Sequence, residues 1–305
     1  MDESLQEQML QTVHNTVERL QSEVKSMRPY GAGGMELPMP NVQRLKQIVR
    51  LCRSIIFPGY FEADTFTHQS ERYLTGVNVE QINLLLSGEI YASLMLHTEG
   101  GDDRREPAKI REEAEGMTIR FVEGLPMLRE MLNMDVEAIY DGDPAAESYR
   151  EIIFAYPGIR AIMNYRIAHL LYEIGVPLLP RVITEMAHSE TGIDIHPYAT
   201  IGKRFAIDHG TGIVIGATAV IGNNVKLYQG VTLGAKSFPT DEKGNLLRGE
   251  PRHPVIGDNV IIYAQATILG RVTIGEGSVI GGNVWVTRDV AKGSKIVQEN
   301  AKKDI

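Results

Sequence analysis

The chain predicts an α+β protein in two parts, an all-helical N-terminal half followed by a parallel β-helix. Three observations carry this. From Ile195 to Val286 an aliphatic residue returns every six positions: Ile195, Ile201, Ile207, Ile215, Ile221, Leu227, Leu233, then Ile256, Ile262, Ile268, Ile274, Ile280 and Val286. A helix repeats near 3.6 and an ordinary strand near 2, so a strict six is neither. Glycine often follows the mark, as at Gly202, Gly216, Gly222, Gly234, Gly257, Gly275 and Gly281, where a short side must turn a corner. Three six-residue sides make one coil of a solenoid whose marks stack inside a narrow prism. Upstream of Ile195 this beat is absent and helical spacing replaces it.

Residues 4 to 27 read as an amphipathic helix, with Leu10, Val13, Val17, Leu20, Val24 and Met27 spaced 3, 4, 3, 4, 3. Pro29 to Pro40, holding Gly31, Gly33 and Gly34, reads as a linker. A second helix starts at an Asn41 cap and runs through Leu45, Ile48, Cys52 and Ile56 until Pro58 stops it. A third spans Val79 to His97. Glu99 to Glu113, rich in Gly, Asp, Arg and Glu, reads as a solvated loop or a short exposed helix. Helices follow over Thr118 to Leu132, Ala145 to Ala155 and Ile159 to Ile174, ended by Gly175 and Pro177. The expected division is a helical domain over 1–185, a β-helix over 186–290 with a loop extruded at 235–254, and a tail over 291–305. The helical part is expected to cap the first coil and to join oligomers.

The 305 residues are 43% hydrophobic, enough for a sizeable core. A single cysteine, Cys52, excludes a disulfide framework and fits a reducing cytoplasm. Met1-Asp2-Glu3-Ser4 lacks the basic and apolar regions of a secretion signal, and no apolar run would span a bilayer. The net charge of −8 argues against a nucleic-acid partner.

The beat fails twice. Ile207 to Ile215 is a step of eight, which squeezes two extra residues into Asp208-His209-Gly210-Thr211-Gly212. Leu233 to Ile256 is a step of twenty-three, six plus a seventeen-residue extrusion that ends in Arg252-His253-Pro254. Insertions in repeat folds gather on a binding face. The first lifts His209 out of the coil, and Asp194, fifteen residues earlier, falls near one coil length away. A carboxylate–imidazole dyad would leave one ring nitrogen free to take a proton. The second insertion delivers Arg252, a planar fork suited to a carboxylate, with His253 as a further donor. By propensity alone, Asp143 reads as an N-cap of the following helix.

Several segments in this order resemble the bacterial serine acetyltransferases, from Asp143-Pro144-Ala145 and Tyr165-Arg166-Ile167-Ala168-His169 to Ile193-Asp194-Ile195-His196-Pro197. The resemblance continues through Ile207-Asp208-His209-Gly210-Thr211-Gly212-Ile213-Val214-Ile215-Gly216, Val231-Thr232-Leu233-Gly234 and Arg252-His253-Pro254. It covers Asp141 to Val290 and is more specific than the six-residue beat, which many acyltransferases share. It implies a left-handed β-helix, a homotrimer or dimer of trimers with sites between neighbours, and transfer of acetyl from acetyl-CoA to the hydroxyl of L-serine. On matching positions it implies His209 as general base and Asp194 as its orienting partner. Asp143 and Asp208 would hold the ammonium and hydroxyl end of serine, and Arg252 and His253 its carboxylate. Gly234, Ala235 and Ala264 would line the acetyl-CoA groove, and no metal is needed. The terminal Asp304-Ile305 resembles the family's anchor for O-acetylserine sulfhydrylase.

Three departures stand out. The extruded loop is longer than in familiar members, and Tyr263-Ala264-Gln265-Ala266 replaces a more Gly-rich coil. The tail lacks a Gly-Val-Pro-Ala-Arg ending, which leaves sensitivity to cysteine open. Rival readings are an acetyltransferase for another hydroxyl (homoserine, a sugar or an antibiotic), a non-catalytic scaffold, and a zinc enzyme of the carbonic-anhydrase type drawing on His196, His209 and His253.

Overall fold

A computed structural model describes residues 3–24, 38–61, 68–98, 106–238, 240–247 and 249–298. The chain divides into two compact units, Met1–Met39 and Pro40–Ile305. The first holds α1 (Glu3–Val24), which carries the seam from Leu10 to Leu20. Met27, most of the expected linker and Ile305 lie outside the described residues.

The second unit begins with six helices: α2 (Val42–Ile56), α3 (His68–Thr98), α4 (Pro107–Gly142), α5 (Tyr149–Ala155), α6 (Pro157–Ile174) and α7 (Leu179–Thr191). The Asn41 side chain caps α2 by accepting from the N–H groups of Gln43 and Arg44, as its position predicts. Four elements differ from the sequence expectation. α3 begins at His68, ahead of the expected Val79. α4 is one helix of 36 residues that takes in both the segment expected to be solvated from position 107 and the expected helix 118–132. The charges of its first turns face out, while Ile110 and Ala114 are buried with Phe121 and Leu128, so those turns share one apolar stripe with the rest. α5 starts at a Ser148 cap, which accepts from Glu151 N–H at 3.2 Å. No helix is expected over α7, because Pro177 and Pro180 break the pattern. Proline in the first turn instead starts this helix, since its missing N–H is unused there. α7 therefore crosses position 185.

Fourteen short strands follow among the described residues. They are β1 (Asp194–Ile195), β2 (Thr200–Ile201), β3 (Ala206–Asp208), β4 (Val214–Ile215), β5 (Val220–Ile221), β6 (Lys226–Tyr228) and β7 (Thr232–Gly234). After the extruded loop come β8 (Val255–Ile256), β9 (Ile261–Ile262), β10 (Thr267–Leu269), β11 (Thr273–Ile274), β12 (Val279–Ile280), β13 (Trp285–Val286) and β14 (Lys295–Ile296). They pair in parallel as three walls: β1-β4-β7-β10-β13, β2-β5-β8-β11 and β3-β6-β9-β12-β14. Every one of the six-residue marks is at most 6% exposed. In the first wall Ile195, Ile215, Leu233, Ile268 and Val286 stack in register. Each such buried aliphatic side chain is worth about 1.5–3 kcal/mol, so the beat supplies the main stabilisation of the prism.

The solenoid's first coil has carbonyls with no coil beneath them, and the helices satisfy these groups. Along the ladders N–H groups donate in both directions, as from Asp194 to Ile213 O and from Gly212 to Gly192 O, so only the groups of the first coil that face away from the second lack a coil partner. Tyr165 O–H donates to Ala199 O at 2.6 Å, Arg166 Nη2 donates to Gly202 O at 2.9 Å, and His169 Nδ1 lies 2.7 Å from Pro197 O. Arg166 is held in turn by Asp135 of α4, at 2.5 and 2.8 Å, and Asp135 also accepts from Phe205 N–H at 2.9 Å. One buried ion pair thus fastens α4, α6 and the first coil together.

Candidate active site

Two clusters of polar side chains stand on two edges of the prism, separated by the wall that begins with β1. The first edge follows β3, β6, β9 and β12. His209 comes directly after β3 with φ 57°, a left-handed conformation uncommon for a side chain other than glycine. Gly210 follows at φ 94°, and a Cβ there would sit 2.5 Å from Ile193 Cδ1 and 2.8 Å from Ile207 Cγ2. The extra residues therefore fold tightly onto the core while the imidazole is thrown outward, 73% exposed.

Asp208 and Lys226 stand beside it. Asp208 Oδ2 meets Lys226 Nζ at 2.9 Å, and its Oδ1 lies 3.8 Å from His209 Nε2. Asp143, at the C-terminal end of α4, accepts from the Tyr156 hydroxyl at 2.7 Å and from Ala145 N–H at 2.9 Å. It therefore caps the Asp-Pro turn and not the following helix, whose cap is Ser148. The Tyr156 hydroxyl, the Ala145 N–H and the charges of Lys226 and His209 together hold the Asp143 carboxyl below its ordinary range. The same bond pushes the Tyr156 phenol up to about 12. Asp143, Asp208 and His209 are thus brought together as the sequence expected, with Tyr156 and Lys226 added.

The second edge follows β4 and β7 and carries the residues of the extruded loop. His253 is buried, 7% exposed, directly over Gly216. Its Nδ1 accepts from Thr218 N–H at 3.1 Å and lies 2.8 Å from the Thr218 hydroxyl. That hydroxyl oxygen already accepts from the N–H groups of Arg252 at 2.9 Å and His253 at 3.1 Å, so its own proton is free to donate to the imidazole. Nδ1 is therefore the unprotonated nitrogen and Nε2–H a fixed donor. Burial, with Arg252 and Arg271 nearby, pulls His253 down to about 4, so it is neutral at physiological pH. Arg252 keeps a buried Nε with no partner among the described residues. His196 is likewise lowered to about 4, by burial and then by Arg181, His253 and Arg252. A groove of about 800 Å³ runs past His196, Tyr198, Thr218 and Arg252 under Phe238 and Leu247 of the loop.

The Asp194–His209 dyad does not form within the chain. The two inserted residues lengthen that coil to twenty, so Asp194 registers with Val214. Its carboxylate faces Arg181 Nη1 at 3.4 Å. Arg181 also pairs with Glu185, and Glu185, His188 and Asp194 offer ligand atoms within 4.8 Å of one another around that guanidinium. His209 stands on the first edge and His196 and His253 on the second, so the three imidazoles do not converge within one chain. Gly234 and Ala235 close β7 on the second edge, while Ala264 follows β9 on the first. These too are apart within the chain.

No sequence signal singles out Tyr156, Arg181, Thr218 or Lys226. A lysine one place before a core mark reads as solvated, and a threonine in a corner reads as a turn residue.

The model of the bacterial transferase hexapeptide (six repeats) matches residues 253–288. Over 268 residues the chain is 50% identical to the plasmid serine acetyltransferase of Synechococcus elongatus, covering 88% of this chain and 84% of that one. The chain belongs to the serine acetyltransferase family. It is 48% identical over 171 residues to the serine acetyltransferase of Bacillus subtilis, 56% of this chain and 75% of that one. Among solved structures it resembles serine acetyltransferase isoform 3 of Entamoeba histolytica in complex with cysteine, with a TM-score of 0.71 and 33% identity over 93% of this chain and 92% of that one. Soybean serine acetyltransferase complexed with serine matches at a TM-score of 0.54 and 30% identity, over 86% and 99% of the two chains. As a member of this family the chain is an acyltransferase. Among the described residues no helix is long and apolar enough to cross a membrane.

Proposed function

We propose that the protein transfers acetyl from acetyl-CoA to the hydroxyl of L-serine, with His209 as general base and active sites shared between neighbouring copies. The observation that carries this is the division of the site. The first edge offers two carboxylates beside a free imidazole, and the second offers a guanidinium with an unpartnered buried Nε and a fixed imidazole N–H. Neither edge alone fits a zwitterion. Facing each other they do, with the serine ammonium on Asp143 and Asp208 and its carboxylate on Arg252 and His253.

A trimer of prisms sets the first edge of one chain against the second edge of the next. The same juxtaposition unites Ala264 of one chain with Gly234 and Ala235 of its neighbour along one groove, where acetyl-CoA would lie. It also gives Asp194, which cannot orient His209 of its own chain, a route to the His209 of the adjacent one.

In the reaction, the serine Oγ attacks the thioester carbonyl while His209 takes its proton. The tetrahedral intermediate collapses with cleavage of the C–S bond. The imidazolium then returns the proton to the departing sulfur, leaving O-acetylserine and free CoA. The test is a substrate screen of the purified protein with acetyl-CoA and serine, homoserine and simple sugars. Preference for serine is expected; turnover of a sugar in preference to serine would overturn the reading.

A further inference from the structure

Lys226 has no part in the roles above, yet its ammonium is enclosed at the first edge. It sits one place before the core mark Leu227, where a lysine would ordinarily reach into water. Its side chain is instead 13% exposed. Nζ donates to Gly142 O at 2.6 Å, meets Asp208 Oδ2 at 2.9 Å, and lies 4.4 Å from the centre of the Tyr228 ring, which itself stacks on Tyr263. A carbonyl at a helix C-terminus, a carboxylate and an aromatic face all favour a cation. Burial pulls the Lys226 pKa down, but the contacts with Tyr228 and Asp208 outweigh it and leave the amine above its ordinary value. Lys226 is therefore held as the ammonium.

The groups it holds are the ones that bracket His209. Lys226 takes Asp208 Oδ2, which leaves Oδ1 as the oxygen facing His209 Nε2. Gly142 immediately precedes Asp143, so fixing its carbonyl fixes the turn that presents the Asp143 carboxylate. Around His209 the charged and titratable groups are Asp208 on its own strand, Asp143 with Tyr156 and Glu151 from the helical side, and Lys226 with Tyr228 from the next coil. Arg204, the other nearby cation, is already paired with Glu137 and Asp141. Lys226 is thus the positive charge that offsets two carboxylates beside the base.

We propose that Lys226 is a positioning residue for the proposed base His209, aiming the Asp208 and Asp143 carboxylates that stand beside it. This rests on the reading of the site as a serine acetyltransferase centre. The test compares steady-state kinetics of the wild type, Lys226→Met and Lys226→Arg with acetyl-CoA and serine. With the two carboxylates no longer aimed, KM for serine should rise several-fold in Lys226→Met with KM for acetyl-CoA unchanged, and return toward the wild type in Lys226→Arg, which keeps the cation. A purely structural lysine would lower Tm and leave KM for serine in place. That result, in an active enzyme, would overturn the role of Lys226 alone; a wild type unable to acetylate serine would overturn it together with the functional reading.

Discussion

Gly216 and His253 exclude one another's space. A Cβ on Gly216 would lie 2.0 Å from His253 Cδ2, and His253 is pinned from the other side by Thr218. Gly216→Ala should therefore displace the imidazole and its Nε2–H. Arg252→Ala removes the neighbouring guanidinium. Losing a hydrogen bond to a charged group costs about 1.5–3 kcal/mol, so each variant should raise KM for serine roughly 10- to 150-fold with much less effect on acetyl-CoA. Equal effects on both substrates in steady-state kinetics would contradict a carboxylate-binding role.

His209 is exposed and supports no packing, so His209→Ala should fold like the wild type. General-base catalysis is typically worth about 100- to 10,000-fold, and kcat should fall within that range. Circular dichroism and Tm would verify the fold, and a wild-type rate would remove His209 from the mechanism.

Sites shared between copies have a distinctive signature. Mixing His209→Ala and Arg252→Ala chains should restore activity, because each mixed trimer has one interface with both residues intact. Random mixing of equal amounts gives about a quarter of the wild-type activity, assayed at serine levels where Arg252→Ala alone is silent. Two inactive parents that stay inactive after refolding together would place each site within one chain.

His196 and His253 are both held near 4, below the ordinary 6.5. A group whose folded pKa is depressed contributes stability above its unfolded pKa and loses it as pH falls through the folded one. Tm should therefore decline as pH drops from about 6.5 to about 4, and His253→Gln should flatten that decline. Scanning calorimetry across this window is the measurement.

Asp135 and Arg166 form a buried pair that also holds the first coil. Removing one partner of a buried pair costs about 3–5 kcal/mol, so Asp135→Asn should show a clear loss of stability in urea. Whatever folded protein remains should keep its KM for serine, since neither residue reaches the site.

The solenoid was legible because its core is one-dimensional. A mark every six residues dictates a stacked prism without reference to any distant contact, and Ile195 through Val286 are buried as that pattern requires. The candidate residues Asp143, Asp208, His209, Arg252 and His253 were legible as breaks in the pattern or as matches to a family. Their grouping was not. Sequence spacing suggested a coil of eighteen and hence a contact between Asp194 and His209, but the bulge itself makes that coil twenty and sets Asp194 beneath Val214. α7 was hidden because proline marks a break in sequence and a start in structure.

The sequence by itself determined the repeat, the succession of helical and β-helical parts and which side chains are candidates for the site, because these depend on local periodicity and residue chemistry. Only the tertiary structure decided that the acidic and cationic halves stand on different edges of one prism, that Thr218 fixes the His253 tautomer, and that Lys226 turns inward between Gly142 and Asp208. Those arrangements depend on which coil lies above which and on where α4 ends against the solenoid. Such distances close only when the chain has folded.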